Sequence, residues 1–409
     1  MGVAGAESVV NEIFGYAKRI YDNQIFDQEQ RLTITYDELP SQSWNLRGAG
    51  WYGDAHLERS SSYKFQNSSE ALPQDTSEVN RQFTITTVEH SATATFTKDF
   101  LTRLVGGNAS FKDFTAKIED LRLTARKNLN QSCYIGPRQI RTTLSANAAI
   151  GATTLSFVSA QYVHVGMFID IYDSTGTVLL VDNNRINAIS GTTITIGTPL
   201  AVNLLAGSTI FLHQENLGTT TGKGFNSIAF QCDDGTDFPT LFENLDRATF
   251  GGWKGNRLDA AGAPLTNDLL QRAQNTIYEN GGCDYMAEDY VNLCNLESIR
   301  RYVTIVLPQK RYVNASKYDA GYEKPNALEW NGRKILADPD CPKRDWFMIN
   351  KRYSGKQELV PMELEGQFGG STMKWKQGYL MGTIISYYSG NLGTSKPNSG
   401  LVIKNLAVL

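Results

Sequence analysis

The sequence is poor in the residues and motifs that reaction centres use. Only four histidines occur in its 409 residues, and none lies in a His-Glu-x-x-His motif. No Gly-x-Ser-x-Gly elbow is present. The Gly-rich stretch 218–224 is one residue short of a phosphate loop and ends in Gly where a magnesium-binding Ser or Thr belongs. The acidic run 233–237 lacks the ligand spacing of a calcium loop, which favours a solvated turn.

These absences predict a protein that is not an enzyme. We expect no catalytic residue, no cofactor and no bound metal. Each histidine is expected to be structural or exposed: His56, His90, His164 and His213.

Cysteine, net charge and long apolar runs are also scarce. The five cysteines are an odd number without Cys-x-x-Cys spacing, which favours free, mostly buried thiols. With 39 Lys+Arg against 42 Asp+Glu, the chain has no basic excess to neutralise phosphates, so dedicated DNA wrapping is disfavoured. No apolar run approaches the roughly 18 residues of a membrane span, and no signal peptide pattern begins the chain. A soluble protein made in the cytosol is therefore expected.

A long segment, residues 37–82, is too poor in aliphatic residues to form its own core. The alternating runs 32–36 and 83–88 flank it and predict the two limbs of a long hairpin. Because aromatic side chains are enriched in interface cores, we interpret the segment as an arm on a neighbouring subunit. The alternative is a partly disordered loop. The candidate contact residues are Trp44, Trp51, Tyr52, Tyr63, Lys64 and Phe65.

Helical periodicity is clearest in three places. Residues 6–26 carry one apolar stripe, and a short helix is expected from Thr97 until Gly106. The best-formed pattern runs from Ser110, a candidate N-cap, to the stop at Gly136. Its predicted core face consists of Phe111, Phe114, Ile118, Leu121, Ala125 and Leu129.

Residues 138–217 differ from their surroundings, because Thr, Gly, Ser and aliphatic residues dominate and Trp is absent. Five short apolar strands alternate there with Gly- or Asn-containing turns, one of them at Asn183 and Asn184. This pattern is typical of a small antiparallel barrel or sandwich. Since an α/β region follows, the segment is predicted to be an inserted domain.

The remaining chain predicts an α+β architecture. A capped helix is expected at 266–280 and another at 288–302, the latter including Val291 and Leu293. Strands are expected near the end of the chain, at 333–338, 346–350, 358–364, 374–385 and 401–405.

In this order of elements the chain resembles tailed-bacteriophage major capsid proteins with the HK97-type fold. Residues 82–101 resemble the strand and short helix that leave the family's E-loop, and 110–136 resemble its spine helix. The segments 248–282 and 328–340 are similar to A-domain segments, and 358–392 to the long P-domain strands. The implied domains are an N-terminal arm (1–35), an E-loop hairpin (36–98), a P domain with the spine helix (99–137 and 355–392), the inserted small all-β domain (138–217) and an A domain (218–354 and 393–409).

The resemblance implies a structural protein that self-assembles into pentamers and hexamers of an icosahedral head around phage double-stranded DNA. Its location would be the virion capsid, assembled in the host cytoplasm. Its partners would be other copies of itself, a scaffolding protein that is a separate chain unless a leader has been removed from this one, a portal and, as in some relatives, a decoration protein. Some relatives cross-link through an arm lysine. Lys64 is the only lysine in 37–82, and an exposed or salt-bridging role is favoured for it.

Two other functions remain open at this point. An encapsulin-like nanocompartment shell would share the fold but would need a groove for cargo peptides. A β-rich carbohydrate-binding protein would use 138–217 as its binding module. That module has no Trp and only two tyrosines, Tyr162 and Tyr172, as aromatic platforms.

Overall fold

The computed structural model describes residues 33–42, 45–47, 50–58, 79–97, 111–213, 224–310, 328–364, 373–375 and 381–407. The predicted helix at 6–26 lies outside these residues, and so does the predicted short helix apart from its first residue, Thr97, which is the last residue of a strand instead. Within them, the α-helices are α1 (Ile34–Glu38), α2 (Phe111–Ile135), α3 (Ile228–Cys232), α4 (Asn267–Gly281) and α5 (Leu296–Lys310).

The described strands vary in length from 2 to 14 residues. They are β1 (Asn45–Arg47), β2 (Gly50–Glu58), β3 (Val79–Thr86), β4 (Val88–Thr97), β5 (Thr142–Thr143), β6 (Thr154–Ser156), β7 (Phe168–Tyr172), β8 (Leu179–Ser190), β9 (Thr193–Ile196), β10 (Thr209–Leu212), β11 (Leu241–Phe242), β12 (Leu245–Asp246), β13 (Asn256–Asp259), β14 (Tyr290–Cys294), β15 (Leu328–Trp330), β16 (Arg333–Ala337), β17 (Trp346–Asn350), β18 (Ser354–Leu364), β19 (Met373–Trp375), β20 (Met381–Thr394) and β21 (Leu401–Lys404).

The chain divides into two compact units. The smaller one comprises residues 1–33, 89–129 and 358–390. It contains a sheet in which β20 lies between β18 and β19 and also pairs with β4. Helix α2 places Leu121 against Ala94, Phe96 and Ile384, with Ile118 partly buried beside them. The apolar stripe of α2 therefore packs on this sheet.

The larger unit comprises residues 34–88, 130–357 and 391–409. Its main sheet has the order β13-β21-β17-β14-β16-β15 and is mixed, because β13 runs parallel to β21 whereas β17 runs antiparallel to it. Helix α4 packs against this sheet through an apolar face that includes Leu270, Ala273 and Ile277. Thr266 caps α4 by accepting the Leu269 N–H at 3.2 Å, as its sequence predicts.

A second sheet in the larger unit, of order β5-β10-β7-β8-β9-β6, lies entirely within residues 142–212. The predicted strands of the inserted segment are all present in it. One turn prediction is wrong: Asn183 and Asn184 lie inside β8, where a register shift accommodates Asn183 at a φ of 49°. The sheet has a core of its own, formed by Leu144, Ala148, Leu155, Phe157, Val163, Met167, Ile169, Ile171, Ile186, Ile194, Ile196, Leu200, Leu204 and Ile210.

We expect residues 138–217, expressed alone, to fold as a β domain. The Gly224 N–H donates to Pro137 O at 2.8 Å, so the residues that flank the segment in the described chain lie next to each other, as tolerated insertions require. Circular dichroism should show a β spectrum and a cooperative thermal transition. Both should be lost on Ile171→Asp, which buries a charge in the core. A random-coil spectrum for the unsubstituted segment would contradict the assignment.

Three other predictions are wrong in detail. Residues 34–38 form helix α1, so the first limb of the hairpin is β2, which lies within the segment 37–82 that was expected to connect the two limbs. Val291 and Leu293 lie in the buried strand β14, and the following helix begins at Leu296. Strand β20 begins at Met381 and extends to Thr394, well past the predicted end of the last long strand.

All five cysteines are free and buried, as predicted. Burial raises the pKa of the Cys232 thiol to about 12, so this thiol stays protonated and unreactive at neutral pH. Among the described helices, none is long and apolar enough to cross a membrane.

Candidate functional site: the root of the long hairpin

The hairpin of β2 and β3 has a buried end and an exposed end. Its register runs from Gly50 paired with Thr86 to Glu58 paired with Val79. We call residues 50–55 and 82–86 the hairpin root. Side chains alternate between core and solvent in the root. Beyond it, His56, Glu58, Asn80 and Arg81 are exposed, whereas Leu57 and Val79 are half-buried. The hairpin is therefore held at one end by its own chain.

An aromatic cluster holds the root. The Phe83 ring lies 5.1 Å from the Trp253 ring, and Trp253 Nε1 donates to Phe242 O at 3.1 Å. The cluster packs aromatic rings from distant parts of the sequence against the hairpin root. Because aromatic side chains bury a large apolar area, this packing strongly favours one position of the root. Its buried members are Trp51, Ala55, Phe83, Ile85, Phe230, Phe242, Leu245 and Trp253.

Backbone contacts from two other segments fix the root further. The Thr84 N–H donates to Glu243 O at 2.9 Å, and Asn391 Nδ2 donates to Thr86 O at 2.8 Å. A Cβ at Gly393 would lie 2.0 Å from Ile85 Cδ1, so only glycine allows the chain to approach the root here. The position and direction of the hairpin are therefore set by packing and by hydrogen bonds together.

A buried charge cluster lies beneath the aromatic rings. Arg247 is fully buried; its guanidinium lies 4.3 Å from the Phe242 ring centroid and donates to Phe230 O at 2.6 Å. Asp233 lies 3.9 Å from it and is also fully buried. Desolvation lowers the pKa of Arg247 to about 10, against the opposing charges of Asp233 and Glu243, so the group remains cationic at neutral pH.

Asp233 corrects the prediction of a solvated turn at 233–237. Its carboxylate accepts the backbone N–H groups of Gly235, Asp237 and Phe238, at 2.8, 3.3 and 3.2 Å. Only the far side of the turn, at Thr236 and Asp237, is exposed. The acidic run is thus a structural turn built around one buried carboxylate.

Helix α1 is held by a second polar network. Asn130 Oδ1 accepts the Tyr36 N–H at 2.9 Å, and Asp338 accepts the Thr35 N–H at 3.1 Å. Asn130 Nδ2 bridges to Asp338 and Asp340, at 3.0 and 2.6 Å. Sequence reasoning missed this network. The available signal was the Asp-Pro-Asp run at 338–340, directly after an apolar strand.

The predicted contact residues differ in burial where the structure describes them. Trp51 is only 4% exposed within its own chain, so it belongs to the root core and not to a contact between subunits. The next residue of β2, Tyr52, is half-buried. Trp44, Tyr63, Lys64 and Phe65 lie outside the described residues.

The predicted core residues of α2 lie on its buried side wherever the structure describes them. Leu121, Ala125 and Leu129 are buried, and Ile118 is half-buried. The side chains of Phe111 and Phe114 are not among those described. Among the histidines, His56 is exposed on β2 and lies 2.9 Å from Asn80 Oδ1 across the hairpin.

Comparison with solved structures identifies the fold. A chain of the cyanophage A-1(L) capsid is similar over 94% of this chain and 96% of its own length, with a TM-score of 0.61 and 10% identity. A chain from the capsid of an empty GTA particle is similar over 94% and 95%, with a TM-score of 0.50 and 9% identity. No protein-family model and no curated protein matches the sequence. The α+β fold of capsid subunits, expected from the resemblance, is confirmed.

Proposed function

We propose that this chain is the structural major capsid protein of a tailed bacteriophage, which self-assembles into the hexamers and pentamers of an icosahedral head. The observation that carries the proposal is the likeness to the cyanophage capsid chain over nearly the whole of both chains, at a TM-score of 0.61. The shared way of assembling is inferred by analogy from this likeness of fold, at 10% identity.

The hairpin supports the same function. Its root is fixed by an aromatic core and by backbone hydrogen bonds, whereas most of its described outer part, at His56, Glu58, Asn80 and Arg81, is exposed. A projecting arm with a rigid base can bury its outer part on a neighbouring subunit, and symmetric repetition multiplies that contact over the shell. Tyr52 and the arm residues Trp44, Tyr63, Lys64 and Phe65 are the proposed contacts.

The proposed location and partners of the protein follow from this role. The chain would lie in the virion capsid after assembly in the host cytoplasm, with a separate scaffolding protein, a portal and a decoration protein as further partners. Packaged double-stranded DNA would be retained by confinement, which agrees with a net charge of −3. The proposed function is structural, without a catalytic centre.

Negative-stain microscopy of the expressed chain, alone and with the neighbouring phage genes, tests the proposal. Closed icosahedral particles of uniform diameter are expected, and they should contain double-stranded DNA when a packaging system is present. Particles that enclose a protein cargo and never DNA would favour the encapsulin-like alternative. A monomer under every condition would refute both shell functions.

A further inference from the structure

Three metal-ligating side chains from distant parts of the sequence meet on the inserted β sheet. Asp170 lies on β7, Asp182 on the adjacent strand β8, and His213 directly after β10 on the other side of β7. His213 Nδ1 lies 2.8 Å from Asp170 Oδ1 and 3.5 Å from Asp182 Oδ1. One ligand atom from each residue lies within 4.8 Å of the other two. Neighbouring strands thus bring together one imidazole and two carboxylates.

The backbone is shaped around this cluster. The pairing of β7 with β8 shifts register between Ile169 and Ile171, so Asp170 sits at an irregularity in the sheet. Asn183 adopts a φ of 49° there, and its N–H donates to Asp170 Oδ1 at 2.8 Å. Irregularities of this kind re-aim side chains and are frequent beside functional sites. The carboxylate of Asp170 is therefore oriented by its own strand neighbours.

The burial of the three groups is graded. The side chain of Asp170 is 4% exposed and that of His213 is 26% exposed, whereas that of Asp182 is 65% exposed. A buried carboxylate needs a compensating charge or hydrogen bonds. The cluster opens to solvent on the Asp182 side, which gives a small ion a path to the buried ligand.

The distances suit a transition metal ion. A tetrahedral Zn²⁺ bound at about 2.0–2.2 Å holds its ligand atoms about 3.3–3.6 Å apart. The separation of 3.5 Å between His213 Nδ1 and Asp182 Oδ1 lies within this range. The separation of 2.8 Å between His213 Nδ1 and Asp170 Oδ1 is a hydrogen-bond distance, which an ion would widen by about 0.5 Å. Imidazole nitrogen together with carboxylate oxygen is a donor set that favours Zn²⁺ and similar divalent ions over Ca²⁺ or Mg²⁺.

We propose that Asp170, Asp182 and His213 bind one divalent transition metal ion, best matched by Zn²⁺, and that this ion ties β7, β8 and the end of β10 together. The His213 Nδ1 lone pair and one oxygen of each carboxylate are the protein ligands, with water completing the coordination. The imidazole proton then resides on Nε2. The inference is independent of the proposed shell function.

The test uses the full-length chain after removal of metal with a chelator. Binding of Co²⁺, followed by visible absorption, and of Zn²⁺, followed by isothermal titration, should show one site in the unsubstituted protein. Asp182→Asn should weaken that site at least about tenfold, because a charged ligand is replaced at an exposed position where folding is unaffected. His213→Asn should do the same. Zn²⁺ should raise the Tm of the unsubstituted protein more than that of either variant.

His164→Asn is the matched control, because His164 is an exposed histidine of the same sheet domain, outside the cluster. It should bind like the unsubstituted protein. Equal stoichiometry, affinity and Tm increase in the unsubstituted protein and Asp182→Asn would overturn the proposal. So would the absence of any Co²⁺ absorption in the unsubstituted protein, which would leave His213 as a hydrogen-bonding partner of the carboxylates only.

Discussion

Replacing residues 59–78 with Asn-Gly should give a folded subunit that forms no closed shells. Glu58 and Val79 are register partners, so a two-residue turn can join them directly. The core residues Trp51 and Ala55 are retained. Shortening the connection between Glu58 and Val79 to two residues reduces the closure entropy of the hairpin, so the free energy of unfolding should rise by up to about 2 kcal/mol. Assembly should fail because the outer part of the arm is missing.

Urea unfolding of the subunit and electron microscopy of the assembly mixture give the two readouts. A variant in which the same residues become a Gly-Ser linker of equal length is the matched control, because it keeps the length and removes the side chains. It should also fail to assemble if the arm side chains make the contacts. Normal shells from the Asn-Gly variant would refute the role of the arm.

Arg247→Met should destabilise the subunit strongly. The Met side chain fills much of the same volume, so the main loss is electrostatic: Asp233 keeps its buried charge without the neighbouring guanidinium. Breaking a buried ion pair by removing one partner costs about 3–5 kcal/mol. We expect about 3 kcal/mol, because the three backbone N–H groups continue to hold the carboxylate.

Arg257→Met is the control for this change, because Arg257 pairs with Asp237 on the exposed side of the same turn, at 3.1 Å. Such a pair contributes less than about 1 kcal/mol. Equilibrium urea unfolding compares the two variants. Equal losses for Arg247→Met and Arg257→Met would mean that burial does not decide the energy of this cluster. Adding Asp233→Asn to Arg247→Met should recover part of the loss, since the unpaired charge is then gone.

The best-predicted elements are those in which local signals agree. Helix α2, predicted at 110–136 and observed at Phe111–Ile135, has an apolar repeat at helical spacing and a stop at Gly136. Glycines at positive φ, such as Gly166 and Gly207, lie in turns between the strands of the inserted sheet. This backbone conformation favours glycine, so these residues predict the turns. The local sequence of each of these elements is enough to predict its secondary structure, without knowledge of the residues that pack against it.

The wrong predictions concern segments whose structure depends on distant partners. Residues 32–36 alternate like a strand, but the backbone N–H groups of Thr35 and Tyr36 are taken by Asp338 and Asn130, which stabilises a helical turn instead. The run 290–294 is short and apolar, and periodicity alone does not distinguish a buried strand from a buried helix.

The candidate site was predictable only in part. The hairpin and its second strand followed from the alternating run at 83–88, but Trp51 was assigned to a contact between subunits because aromatic residues are enriched in such interfaces. They are equally typical of a domain core, and the buried cluster that contains Trp51 also includes Phe230, Phe242 and Trp253 from a distant part of the sequence. The cluster of Asp170, Asp182 and His213 has no motif in the sequence, since strand pairing alone brings these residues together.

Strand β21 has a consequence for synthesis of the protein. It lies between β13 and β17 in the main sheet, and Asn256 Nδ2 reaches Gly400 O across 144 residues of chain. At the usual rate of translation, about 7–30 s pass between the emergence of β13 and that of β21. Until β21 emerges, β13 and β17 have no strand between them. The nascent subunit therefore completes its main sheet only after Lys404 has left the ribosome, and a translation product that stops before Leu401 does not form the complete sheet.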